Sequence, residues 1–235
     1  MNKNELEQLL INTFNIKDLH TLELLYIYYE MLYETSKVMN LTTIVELEEA
    51  YIKHFYDSLL LSKVVDLTQN ITLADVGTGA GFPGLVLKIV YPNINVTLIE
   101  PLTKRCKFLQ SVIDELELKG IVVVNDRAEN AIKTMRESFD IVTARAVASL
   151  NILSEICVPF VKLNGVFIAL KGSSYQEEID LSSQAIKKIK VKLVKKELLE
   201  LPLNMGERAI LMYKKYENTP SIYPRLYAKI KKNPL

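Results

Sequence analysis

Asp75-Val76-Gly77-Thr78-Gly79-Ala80-Gly81-Phe82-Pro83-Gly84 follows the apolar run Ile71 to Ala74 and opens a helical stretch, and Glu100 stands at the end of the next apolar run. A glycine-rich turn between strand and helix lets a ligand approach the backbone, because glycine has no side chain and tolerates unusual dihedrals. The spacing decides which ligand. A dinucleotide turn, G-x-G-x-x-G, requires glycine where this chain has Phe82, and a P-loop requires a Gly-Lys-Ser/Thr that does not follow. What remains is an acid two residues ahead of a G-x-G-x-G turn. A carboxylate about twenty residues further on can hold a ribose diol by two hydrogen bonds.

Outward from this turn, short β-rich runs alternate with helical stretches, the pattern of βαβ units and a mostly parallel sheet. Strands are expected near 71–76, 95–100, 121–125, 139–144 and 164–170, and helices near 83–91, 103–118, 128–136, 149–158 and 175–187. Two closing strands, near 191–200 and 208–214, are joined by Leu201-Pro202-Leu203-Asn204-Met205-Gly206 with no helical pattern between them, so they form an antiparallel hairpin. The fold class is therefore α/β: a Rossmann-like, mostly parallel seven-stranded sheet with a terminal antiparallel hairpin, the arrangement of S-adenosylmethionine-dependent methyltransferases. Ahead of it, apolar stripes at Leu6, Leu9 and Leu10, at Leu22, Leu25 and Tyr29, and at Ile52, Phe55 and Leu59 predict helices. The organisation reads as a helical extension over 1–66, a methyltransferase domain over 67–215, and a basic, extended tail over 216–235 marked by Pro220, Pro224 and Pro234.

At 235 residues, with 49% apolar and 24% charged residues, the chain can bury one sizeable core and is not disordered overall. The N-terminus carries no hydrophobic signal core and no apolar run has the length of a membrane span, so a cytoplasmic protein is expected. Cys106 and Cys157 form no C-x-x-C pair and suit a reducing compartment. Net charge is +1, but unevenly spread: −6 over 1–66, −2 over 67–185 and +9 over 186–235. Clustered lysine and arginine gain affinity for polyanions by releasing counterions condensed on phosphate, so the C-terminal part is expected to meet nucleic acid. Lys188, Lys190 and Lys192 also fit the exposed side of one strand.

In an open α/β sheet the ligand lies beyond the carboxyl ends of the strands. The polar residues there are Asp75, Glu100, Asp126, Arg127, Arg145 and Lys171. Glu100 is expected on the ribose hydroxyls and Ala128 and Glu129 at the adenine edge, with Gly77, Gly79 and Phe82 shaping the turn against the methionine end. Asn40 and Thr42, together with His54, Asp57 and Ser58 on one helix face, are expected to line a cleft between the helical segment and the sheet, where Asn40, His54, Asp57, Arg145 and Lys171 would position the acceptor. Two histidines and no ligand cluster leave no metal site. The reaction is narrowed by what is missing. Amine methylation commonly uses Asn/Asp-Pro-Pro-aromatic after the fourth strand, where this chain reads Ala144-Arg145-Ala146-Val147. Pyrimidine C5 methylation needs a cysteine nucleophile at a strand end, and both cysteines lie within helical stretches. A ring nitrogen such as guanine N7 offers an in-plane lone pair and needs only alignment and desolvation.

Taken together, Asn40-Leu41-Thr42, His54-x-x-Asp57-Ser58-Leu59, the Gly77 to Gly84 turn with its Gly81-Phe82-Pro83-Gly84, Lys104-Arg105-x-x-Phe108-Leu109, Arg127-Ala128-Glu129, Ala144-Arg145-Ala146, Leu170-Lys171-Gly172 and Tyr223-Pro224-Arg225 resemble the RsmG (GidB) family from about residue 35 onward. The resemblance implies methylation of guanine N7 in small-subunit ribosomal RNA, with S-adenosylmethionine as cofactor and S-adenosylhomocysteine as product. It also implies that Gly77, Phe82, Ala128, Glu129 and Arg145 bind the cofactor. Arg225, Lys231 and Lys232 are expected on the RNA, which is met as free RNA or as a ribosomal particle by a monomeric enzyme. Tyr227 and Lys229 depart from the family pattern, standing where a more basic, glycine-containing stretch usually precedes the final Lys-x-Pro-Leu. Two alternatives stay open: methyl transfer to a small molecule or protein, and an inactive methyltransferase fold serving as an RNA-binding module.

Overall fold

Buried parallel strands are apolar on both faces, and apolar runs build the parallel part of the sheet: β1 (Thr72–Val76), β2 (Asn95–Ile99), β4 (Phe139–Arg145) and β5 (Val161–Lys171), with β3 (Ile121–Val124) at the more exposed edge. With β6 (Val191–Glu200) and β7 (Glu207–Lys215) they form one seven-stranded sheet in the order β3-β2-β1-β4-β5-β7-β6. The computed structural model describes residues 1–235. β1 to β5 pair parallel, while β7 runs antiparallel between β5 and β6, with Lys171 opposite Ala209. Chain order reverses between β1 and β4, a switch that opens a crevice at the strands' carboxyl ends.

Side chains alternate across the sheet and found two cores. On one face Leu73, Leu98, Ile141 and Ile168 pack with α5 (Gly84–Val90) and α6 (Thr103–Glu115). The helices of the extension, α1 (Lys3–Phe14) and α2 (His20–Ser36), join the same core through Leu6, Leu10, Leu25 and Tyr28. On the other face Ala74, Val142, Phe167 and Tyr213 meet α7 (Ala128–Met135) and α8 (Leu150–Cys157).

Between extension and sheet, α3 (Leu47–Ala50) continues through a wider π-type turn over Tyr51–Tyr56 into α4 (Asp57–Leu59). The expected helix over 175–187 is two, α9 (Tyr175–Leu181) and α10 (Ser183–Lys188), broken at Ser182, whose hydroxyl donates back to the Ile179 carbonyl. The lysine alternation has a different origin from the one expected. Lys188 ends α10, Lys190 takes a left-handed turn (φ 70°) and pairs with Glu217, and only Lys192 lies in β6. The tail is not extended throughout either. It ends in α11 (Tyr227–Lys232), with Tyr223 and Ile230 buried against the second core. No helix is long and apolar enough to cross a membrane.

Candidate active site

The glycine turn is built by hydrogen bonds that only a tightly wound backbone offers. Gly77, Gly79 and Gly81 have φ of 72°, 62° and 110°, values that side-chain-bearing residues rarely adopt. The Gly77 amide donates to the Ile99 carbonyl at 2.8 Å, tying β1 to β2 just where the strands end. Asp75 is wholly buried; its Oδ2 accepts from Thr78 Oγ1 at 2.6 Å and from the Gly84 amide at 2.8 Å. Burial pushes its carboxyl up to about 6 against those two hydrogen bonds, and Oδ1 is left without a partner.

Beside the turn lies a cleft of about 560 Å³ walled by Gly77, Ile99, Leu102, Ala128, Glu129 and Val147. Thus the expected Gly77, Ala128 and Glu129 come together at the carboxyl edge of β1 to β3. Asp75 does not reach the cleft; it organises the turn from behind. Glu100 is also turned away: 2% exposed, its Oε2 accepts from the Gly79 amide at 3.0 Å and its Oε1 from Leu102 at 2.9 Å. Through these two bonds the Glu100 carboxylate fixes the turn. Phe82 is buried too, its ring stacked 4.3 Å from His54 and 5.5 Å from Tyr28.

A second cleft, of about 790 Å³, adjoins the first across Val147 and is lined by His54, Asp57, Arg145, Lys171 and Arg208. Asp57 organises it. One oxygen accepts from Arg145 and the other from Arg208, each at 2.9 Å. Arg145 also donates to the Lys53 carbonyl at 2.9 Å, and its guanidinium lies 5.1 Å above the Phe82 ring. Arg145, expected on the cofactor, thus sits in this second cleft and not in the glycine-walled one. The His54 ring is held through Nε2 by Thr42 Oγ1 at 3.1 Å and through Nδ1 by Arg145 at 3.3 Å. Burial foremost, then the Arg145 charge, pushes its pKa down to about 3, so the ring is neutral. Lys171 is committed to the Ala148 carbonyl and to Glu178, both at 2.7 Å. Asn40 is set apart, beside Leu102 and Arg105, and of this stretch it is Thr42 that reaches His54. Ser58 points back to the His54 carbonyl.

Sequence reasoning missed Arg208, which opens the second expected closing strand and carried no site signal there, and also Val147, Ile156 and Tyr227 in the first cleft. Arg225, expected on phosphate, grips the fully buried Glu155 with Nε at 2.8 Å and Nη2 at 2.6 Å, so its charge is neutralised inside the protein. Lys231 and Lys232 are exposed on α11.

Does the first cleft fit a sulfonium cofactor? Its space at Gly77 exists only because a side chain is missing: a Cβ there would lie 2.8 Å from Val147 Cγ2. Behind the turn the unpartnered Oδ1 of Asp75 supplies a negative field that favours a cationic ligand. A seven-stranded sheet with a reversed β7, a glycine-cradled cleft at the switch of strand order and a second polar cleft beside it define an S-adenosylmethionine-dependent methyltransferase. Solved structures agree on the fold. TYW2 of M. jannaschii, solved in complex with AdoMet, aligns at TM-score 0.54 and 16% identity over 69% of this chain and 76% of that one. A SAM-dependent methyltransferase of Aquifex aeolicus aligns at 0.53 and 17% over 70% and 92%. The family described as GidB, rRNA small subunit methyltransferase G, matches residues 21–204. Ribosomal RNA small subunit methyltransferase G of Bacillus subtilis (strain 168) is 44% identical over 216 residues, 91% of this chain and 90% of its own. That of Acholeplasma laidlawii is 48% identical over 208 residues, 88% and 90%. The chain belongs to the GidB family.

Proposed function

We propose that this protein transfers the methyl group of S-adenosylmethionine to N7 of a guanine in small-subunit ribosomal RNA. One observation carries the reading: two clefts share the wall residue Val147, the first cradled by Gly77 and the second walled by His54, Asp57, Arg145 and Arg208. Membership of a family whose curated relatives are named for small-subunit ribosomal RNA supplies the substrate class.

When bound, S-adenosylmethionine supplies an electrophilic methyl group on sulfonium. Gly77, Ala128 and Glu129 would hold it, with Glu100 and Asp75 keeping the turn in shape from below. In the adjoining cleft Asp57 fixes two guanidinium groups, from Arg145 and Arg208, whose free N–H edges suit a phosphate beside an unstacked base. The neutral His54 ring offers a rigid flat surface. None of these groups has to accept a proton, because guanine N7 carries none.

Competing chemistries lack their residues. Burial pushes the thiols of Cys106 and Cys157 up, so neither is a ready nucleophile for carbon methylation. The exit of β4 places Arg145 where amine methylation commonly has an amide or acid followed by prolines. On this reading the protein works in the cytoplasm with ribosomal RNA as its partner.

The test uses cofactor labelled in the methyl group with free small-subunit RNA, assembly intermediates and finished subunits. Label should enter one guanine, mapped by borohydride and aniline cleavage. Label that enters RNA without producing that cleavage would move the acceptor to another atom, and cofactor binding with no transfer to any RNA would favour a small-molecule or protein acceptor.

A further inference from the structure

Tyr227, the first residue of α11, forms part of the wall of the cleft that Gly77, Ala128 and Glu129 also line. The other wall residues come from the ends of β1 and β2, the loops after β1 to β4, and α6, α7 and α8, whereas Tyr227 comes from the C-terminal segment. Its place is fixed from both sides. Ahead of it, Arg225 binds both carboxylate oxygens of the buried Glu155, and the Arg225 amide adds a third bond at 2.9 Å. Further back, the Thr219 amide donates to Glu137 at 3.0 Å, and Arg136 donates to the carbonyls of Thr219 and Tyr223. Behind it, Ile230 is 1% exposed in the second core. A segment held this firmly before a ligand arrives loses little backbone freedom when one binds.

We propose that Tyr227 contacts the adenosine part of bound S-adenosylmethionine, so that the C-terminal segment completes the cofactor site. The proposal rests on the reading of this cleft as the cofactor site. Ile99, Leu102, Val147 and Ile156 give the cleft an apolar interior and Asp126 a polar rim, which suits a flat heteroaromatic base, and a phenol ring adds a surface to stack against or a hydroxyl for its edge.

The chain has 12 tyrosines and no tryptophan, so Tyr227→Trp yields a single indole fluorophore inside the cleft. Calorimetric titration of the wild-type protein with S-adenosylmethionine comes first: absence of binding would remove the cofactor reading itself. Given binding, Tyr227→Ala is expected to weaken S-adenosylmethionine and S-adenosylhomocysteine by about fivefold to tenfold, in line with a stacked pair, with Tyr227→Phe closer to wild type. In Tyr227→Trp the indole emission should change with cofactor and saturate at the calorimetric affinity. Wild-type affinity in a folded Tyr227→Ala variant overturns the proposal. So does indole emission from Tyr227→Trp that stays constant while calorimetry shows saturation, and this second result decides the matter even if the alanine variant does not fold.

Discussion

The phenol of Tyr28 donates a 2.5 Å hydrogen bond to the carbonyl of Ala80, in the middle of the glycine turn. Tyr28 is wholly buried on α2, and its ring is stacked with Phe55 and Phe82. The approach needs glycine next door, since a Cβ on Gly81 would lie 2.6 Å from the phenol oxygen. The helical extension therefore supports the turn directly. Tyr28→Phe keeps the stacking but leaves the buried Ala80 carbonyl without this donor, a loss of about 1–3 kcal/mol. We expect a lower melting temperature together with weaker cofactor binding; a variant with wild-type values of both would show that the extension does not hold the turn.

Gly77→Val attacks the turn from the cleft side. A β-branched residue at φ 72° is strained, and its Cβ would press on Val147 at 2.8 Å. The strain should cost roughly 1–3 kcal/mol, lowering the melting temperature by about 3–10 °C, and the side chain takes space at the wall of the cleft. Calorimetry should find no cofactor binding in a protein that still melts cooperatively. Retained affinity would assign the cofactor to another place.

Lys229, Lys231 and Lys232 are exposed on α11, and none has an ion-pair partner, unlike Arg225. Replacing all three by glutamine should weaken RNA binding and flatten its salt dependence, by up to about 0.9 log unit for each duplex phosphate that a removed cation had neutralised. Cofactor affinity measured without RNA should hold. A salt slope equal to that of the wild type would mean that these cations do not meet phosphate.

What the sequence showed and what it hid follow from where the stabilising contacts lie. The central strands were legible because strands buried on both faces are apolar runs, and Gly77, Ala128 and Glu129 because ligands bind beyond strand ends. The break at Ser182 and the π-type turn that carries His54 have no strong local signal; each is selected by packing. Likewise α11 follows two prolines and is only six residues long, too short to be stable alone. Burial of Tyr223 and Ile230 and the Arg225–Glu155 pair hold it in place. Glu100 and Asp75 were legible as residues of the site, but their bonds to the backbone amides of the turn were not, because sequence does not show which amides a carboxylate will meet.

His54 is held near pKa 3 by burial and by Arg145, so it is already neutral and stays so throughout the neutral range. Acting on guanine N7, the enzyme should show single-turnover rates that are nearly flat from about pH 6 to 8 at saturating cofactor and RNA. His54→Gln should lower the rate by a constant factor across that window through poorer positioning. A wild-type rate that climbs tenfold per pH unit, and becomes flat in the variant, would identify His54 as a proton acceptor and exclude N7.

Asp75 gives the fold a pH dependence of its own. Burial raises its carboxyl from 3.8 to about 6, so between those values the folded state binds more protons than the unfolded one, and stability falls as pH rises through that interval. Above it the loss is complete, about 3 kcal/mol for a shift of this size. In Asp75→Asn the amide oxygen can still accept from Thr78 and Gly84, which both use Oδ2 in the wild type, and no charge is buried. An amide nitrogen at the Oδ1 position adds a penalty that is constant with pH. Denaturant unfolding of both proteins at pH 4, 5, 6 and 7 should therefore show the stability difference moving in the variant's favour by up to about 3 kcal/mol as pH rises. Parallel stability curves would mean that Asp75 is as readily ionised in the folded protein as in the unfolded chain.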